Sequence, residues 1–100
     1  MNEYIKNILA NIKIICKKYK SIEKVFLHGS RAKGNYTERS DIDIAIYSVG
    51  IDIEEIKDEF DNIDTLLKID VVDMTNCKNE LLIQEINKYG ILIYNKIPEI

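Results

Sequence analysis

The chain has 100 residues, of which 46% are apolar and 31% charged, with a formal net charge of −3. This length fits one domain, residues 1–100, with one core that buries roughly 60–68% of the unfolded surface. No run of about 18 apolar residues marks a membrane span, and the acidic balance excludes a general nucleic-acid coat, which needs an excess of Lys and Arg. Met1-Asn2-Glu3-Tyr4-Ile5-Lys6 lacks the apolar core of a signal peptide, so a cytoplasmic protein is expected.

Ile5, Ile8, Leu9, Ile12, Ile15 and Tyr19 recur at helical spacing and predict an amphipathic helix over residues 2–20. Cys16 lies on its apolar side and reads as a small buried hydrophobe; a disulfide with Cys77 is not expected in the cytosol. Lys17, Lys18 and Lys20 read as a solvated helix end. Val25-Phe26-Leu27-His28 predicts a short buried strand stopped by Gly29. Residues 30–40 are polar and predict a turn of helix followed by a loop, with Tyr36 in that loop. From Asp41 to Tyr47 the alternation is strict, with Ile42, Ile44 and Ile46 on one side and Asp41, Asp43 and Ala45 on the other. Asp52 with Glu55 predicts a cap for a helix that carries Ile53, Ile56, Phe60, Ile63 and Leu67 on one face. Ile69-Asp70-Val71-Val72-Asp73 predicts a strand. Leu82, Ile83, Ile86 and Tyr89 predict a helix ended by Gly90, and Ile91–Tyr94 a last strand before Pro98 at a frayed end. The order α-β-(short α)-β-α-β-α-β implies an α/β or α+β fold, one mixed sheet of about four strands packed with helices.

Two short motifs carry chemistry. Gly29-Ser30 ends an apolar strand, where a missing side chain lets a phosphate approach the backbone. A helix beginning at Ser30 would aim unpaired N–H groups at that phosphate, with a hydroxyl from Ser30 and a positive charge from Arg31. A plain turn with an N-cap gives the same residues. Asp41 and Asp43 stand two apart on a strand, so their carboxylates share a face, roughly 6.5–7 Å apart along the chain. A hard divalent cation relieves their repulsion, and Mg²⁺ suits one or two carboxylates plus substrate phosphates; a solvated strand end is the bland alternative. Gly-Ser, ten residues, then Asp-x-Asp is expected by chance in about one such chain in a thousand. His28, the lone histidine, reads as a strand-end packing residue and leaves no His-based hydrolase or zinc set.

Gly29-Ser30-Arg31-Ala32-Lys33-Gly34 through Ser40-Asp41-Ile42-Asp43-Ile44-Ala45 resembles the signature of the nucleotidyltransferase superfamily related to DNA polymerase beta, and more narrowly the minimal nucleotidyltransferases. The resemblance implies a third carboxylate on a neighbouring strand. Asp70 fits, with Asp73 the competitor at the far end and on the opposite face. It further implies Mg²⁺, two ions, held by Asp41, Asp43 and Asp70, with ATP as substrate. Gly29 and Ser30 would cradle the outgoing pyrophosphate, with Arg31 as charge partner or structural clamp. Larger relatives carry acceptor-binding domains, so a partner chain is expected to supply the acceptor. Proteins of this type resemble antitoxins paired with HEPN-type ribonuclease toxins, implying AMP transfer to a toxin tyrosine. A non-catalytic antitoxin that occludes its partner is the alternative, with small-molecule nucleotidylation by a homodimer a third.

Overall fold

The computed structural model describes residues 1–97; Pro98 lies outside the described residues. In chain order the elements are α1 (Glu3–Lys17), β1 (Ile22–His28), α2 (Gly29–Lys33), β2 (Ile42–Ser48), α3 (Ile53–Asp61), β3 (Ile69–Asp73), α4 (Glu80–Tyr89) and β4 (Ile91–Asn95). This is the order expected from the sequence. The strands form one mixed sheet in the order β3-β2-β1-β4, with β2 and β3 parallel and β1 antiparallel to both β2 and β4. The parallel pair is joined through α3, as a parallel connection requires.

Strand alternation divides the apolar residues between two faces. On one, Val25, Leu27, Ile42, Ile44 and Ile46 meet Ile5, Ile8, Ile12 and Cys16 of α1 and Ile56 and Phe60 of α3. Burying side chains of this size stabilises the fold by about 1.5–3 kcal/mol each before entropy is counted. On the other face Ala45 joins Ile86 of α4, with Phe26, Tyr47 and Val72 packed around them. A β-bulge between Ile22 and Lys24 adds one residue to β1. It lets Ile22 and Val25, three apart, both point into the core and lengthens β1 beyond the expected Val25–His28. Burial, with Glu59 nearby, pushes the Cys16 thiol up to about 12, and both cysteines are free.

Two helix ends differ from the sequence reading, and a third falls where expected but in another conformation. Helix α1 ends at Lys17 rather than near residue 20, because the chain turns and brings Lys18 and the Tyr19 hydroxyl onto Glu59 of α3. Helix α3, capped by Asp52 accepting from the Glu54 and Glu55 amides, stops at Asp61 instead of running to Leu67. Asn62, Asp64 and Thr65 are short polar residues that favour local turns over helix, and Thr65 Oγ1 accepts from the Leu67 amide and pairs with the Tyr4 hydroxyl at 2.6 Å. Ile63 and Leu67 still reach the core, from non-helical backbone. Gly90 ends α4, but at φ −58° and ψ 138° rather than in a left-handed cap. It must be glycine because a Cβ there would lie 2.4 Å from the Ile86 carbonyl oxygen. Among the described residues no helix is long and apolar enough to cross a membrane.

Candidate active site

The end of β1 and the starts of β2 and β3 meet at one end of the sheet. In the register, Asp43 stands opposite His28 on β1 and opposite Asp70 on β3. Residues directly opposite one another project to the same face; here it is the face on which Ala45 and Val72 meet α4. Asp41 precedes β2, whose observed start is Ile42, and is exposed. Its charge still reaches Asp43. Asp73 pairs with Ile46, three positions further along, and its Oδ1 accepts from the Thr75 amide at 2.9 Å. The fold therefore places Asp70, not Asp73, beside Asp43.

The electrostatics follow from this crowding. The Asp43 carboxyl is held above the usual carboxylate range, first by burial and then by the charges of Asp70, Asp41 and Glu85, with His28 opposing. Burial lowers the His28 imidazole more than its acidic neighbours raise it, which keeps it neutral at pH 7. Lys68, just ahead of β3, places Nζ 3.3 Å from Asp70 Oδ1 and is raised chiefly by that bond, with Asp41 and Asp43 adding.

Gly29 has φ +71°, and a Cβ there would stand 2.2 Å from Asp43 Oδ2. The close approach that requires glycine is thus made by the Asp43 carboxylate. Helix α2 begins at Gly29 with His28 at the cap position, and no side chain caps it. Ser30 is its second residue, so the simple N-cap reading of Gly-Ser does not hold. Arg31 is only 5% exposed. Its Nε donates to the Ser40 carbonyl at 3.0 Å, and its Nη2 to those of Glu38 at 3.2 Å and Thr37 at 3.4 Å. Tyr36 covers the guanidinium at 5.1 Å. Of the two roles open to Arg31, charge partner or clamp, this geometry supplies the clamp: it holds residues 37–40, which lead into Asp41. Arg31→Ala should lower stability by about 1.5–3 kcal/mol, because part-buried hydrogen bonds from a charged donor to the 37–40 carbonyls are lost. Arg31→Lys should restore only part of this, since one ammonium cannot reproduce the planar fork. Urea unfolding midpoints measure both, and a loss below about 0.5 kcal/mol, the size of an ordinary surface change, would dismiss the clamp.

Lys68, Glu85 and the His28–Asp43 pairing were missed in the sequence. Lys68 carried a weak signal, two residues before Asp70 on an approaching strand. Glu85 carried none: it comes near the site because α4 packs over the sheet and Lys33 of α2 pairs with it.

The donors here are carboxylate oxygens whose mutual repulsion a hard divalent cation would relieve, so their chemistry fits Mg²⁺. They are not closed around a point. Among the described residues no three His, Cys, Asp or Glu side chains stand at metal-holding spacing, and Asp70 is drawn toward Lys68.

A sequence comparison with curated proteins gave no significant match. Solved structures do match in fold. One is a toxin–antitoxin complex with AMP-PNP, at TM-score 0.72 and 21% identity, covering 88% of this chain and 73% of that one. A second is a tri-AMPylated Shewanella oneidensis HEPN toxin in complex with its MNT antitoxin, at TM-score 0.68 and 18% identity, covering 91% and 72%. A third is a mutant of the MntA–HpeT toxin–antitoxin, at TM-score 0.63 and 24% identity, covering 96% and 74%. The model of the family described as polymerase beta, nucleotidyltransferase, matches residues 10–99 and so spans Gly29, Ser30 and all three aspartates. With nine-tenths of its length matched, the chain belongs to the polymerase beta nucleotidyltransferase family.

Proposed function

We propose that residues 1–100 form one Mg²⁺-dependent nucleotidyltransferase domain that moves AMP from ATP to a hydroxyl. Its acceptor is a tyrosine of a HEPN-type toxin, so the chain acts in the cytoplasm as that toxin's antitoxin. The observation that carries the reading is the register of Asp43 and Asp70 on adjacent parallel strands, with Asp41 just ahead, inside the stretch that matches the family. The toxin partner is supported by the fold shared with a toxin–antitoxin complex and with a complex of a HEPN toxin and an MNT antitoxin.

In this reading Asp41, Asp43 and Asp70 would hold Mg²⁺, two ions, which would supply charge neutralisation at the attacking and leaving oxygens. Asp70, on the edge strand beside β2, would accept the proton of the incoming hydroxyl. The hydroxyl oxygen bonds to the α-phosphorus, the bond to the β-phosphate oxygen breaks, and pyrophosphate leaves. Amides at the start of α2, from Gly29 and Ser30, would donate to that leaving group, while Arg31 fixes the loop that leads into Asp41.

One observation favours the alternative of a non-catalytic, occluding antitoxin: the carboxylates are not gathered at metal-holding spacing. The test is transfer of label from α-³²P-ATP with Mg²⁺ in host lysate. One labelled protein band supports transfer to a protein partner and gives its mass. Label in RNA or a small molecule keeps the enzyme and removes the antitoxin reading. No label, with a partner still bound, selects occlusion.

A further inference from the structure

Lys68 is fixed at the backbone and free at its tip. Its carbonyl oxygen accepts from the Ile42 amide at 2.9 Å, so its main chain is pinned beside the residue between Asp41 and Asp43. Its side chain is 71% exposed, yet Nζ lies 3.3 Å from Asp70 Oδ1, and Asp41 and Asp43 act on it as well. Lys68 and Asp70 themselves line an open groove of about 370 Å³, together with Lys57 and Asp61, so the ammonium has solvent-open space into which it can leave Asp70.

We infer that Lys68 is a tethered counter-cation of the carboxylate site: its ammonium neutralises Asp70 while no divalent ion is bound, gives way when one binds, and so sets metal affinity. The inference rests on the metal site of the proposed function. The physical basis is competition between like charges for one cluster of carboxylate oxygens. An ammonium on a flexible four-carbon stem is a compact point charge that can leave and return. It makes the metal-free site tolerable, since Asp70 and Asp43 would otherwise stand opposite one another with no cation beside them. It also weakens binding of a doubly charged ion, which must displace it.

The test is Mn²⁺ binding to the purified metal-free chain, followed by electron paramagnetic resonance of the free ion. Lys68→Gln should tighten Kd roughly two- to five-fold, the scale of one exposed ion pair. Lys68→Arg, which keeps the charge, should stay near wild type. Asp43→Asn should abolish binding in either background. Unchanged or weaker binding by Lys68→Gln, with Asp43→Asn still binding nothing, overturns the role of Lys68 and leaves the metal site standing. Absence of Mn²⁺ binding by both wild type and Lys68→Gln overturns the metal site and this inference together.

Discussion

Replacing Asp41 and Asp43 by Asn should cut transfer of the ATP label by at least roughly 10²–10³-fold, the range seen when one preorganised charge-stabilising group is removed. The same change should stabilise the metal-free protein. The two effects have one cause. Asp43 is half-buried between His28 and Asp70, with Asp41 and Glu85 adding negative charge, and its carboxyl is raised. A carboxyl with a higher pKa in the folded state binds its proton more tightly there than in the unfolded chain. Ionising it therefore works against folding, fully so above the folded pKa and not at all below the unfolded one. Removing the charge at neutral pH should raise the melting temperature in EDTA, and this gain should shrink as pH falls toward the ordinary carboxylate range. His28 acts in the opposite sense: its lowered pKa takes stability away as pH falls through about 6.5. An Asn pair that lowers the melting temperature at pH 7 while transfer persists would mean that the carboxylates serve structure rather than chemistry.

What could be read from the sequence depended on how local its cause was. The alternation of Ile42, Ile44 and Ile46 with Asp43 and Ala45 is set by strand geometry, and both faces came out as expected. The placing of Asp70 rather than Asp73 beside Asp43 also follows from alternation, because residues three apart on a regular, unbulged strand face opposite ways. The end of α3 was less legible, since Ile63 and Leu67 sit at helical spacing but reach the core through a turn fixed by Thr65 and Tyr4, 61 residues away. Arg31 shows the same limit. Its place after Gly-Ser suggests phosphate, whereas its burial under Tyr36 depends on how the 37–40 loop folds back. Lys68 and Glu85 join the site only through sheet register and helix packing, which no single segment encodes.

Gly29→Ala carries the second large effect, and Gly34→Ala separates its components. Both glycines have positive φ, +71° and +91°. An L side chain in the left-handed region costs about 1–2 kcal/mol, so each substitution should lower stability by about that much. At Gly34 nothing lies within 4 Å of the new Cβ, and the loss should end there. At Gly29 the Cβ would meet Asp43 Oδ2 at 2.2 Å, a contact relieved only by moving that carboxylate. Crowding of this kind adds about 1–3 kcal/mol where neighbours cannot yield. Asp43 lies at the mouth of the sheet and its side chain can rotate, so part of that cost should appear instead as a displaced carboxylate. Gly29→Ala should then lose Mn²⁺ binding and label transfer even at temperatures where it is fully folded, while Gly34→Ala keeps both. The link between glycine and carboxylate is what makes Gly-Ser and Asp-x-Asp one motif, although ten residues separate them. The first presents a bare Cα, and the second sets its carboxylate against it. Equal destabilisation of the two variants, with metal binding intact in both, would show that Gly29 serves only the turn.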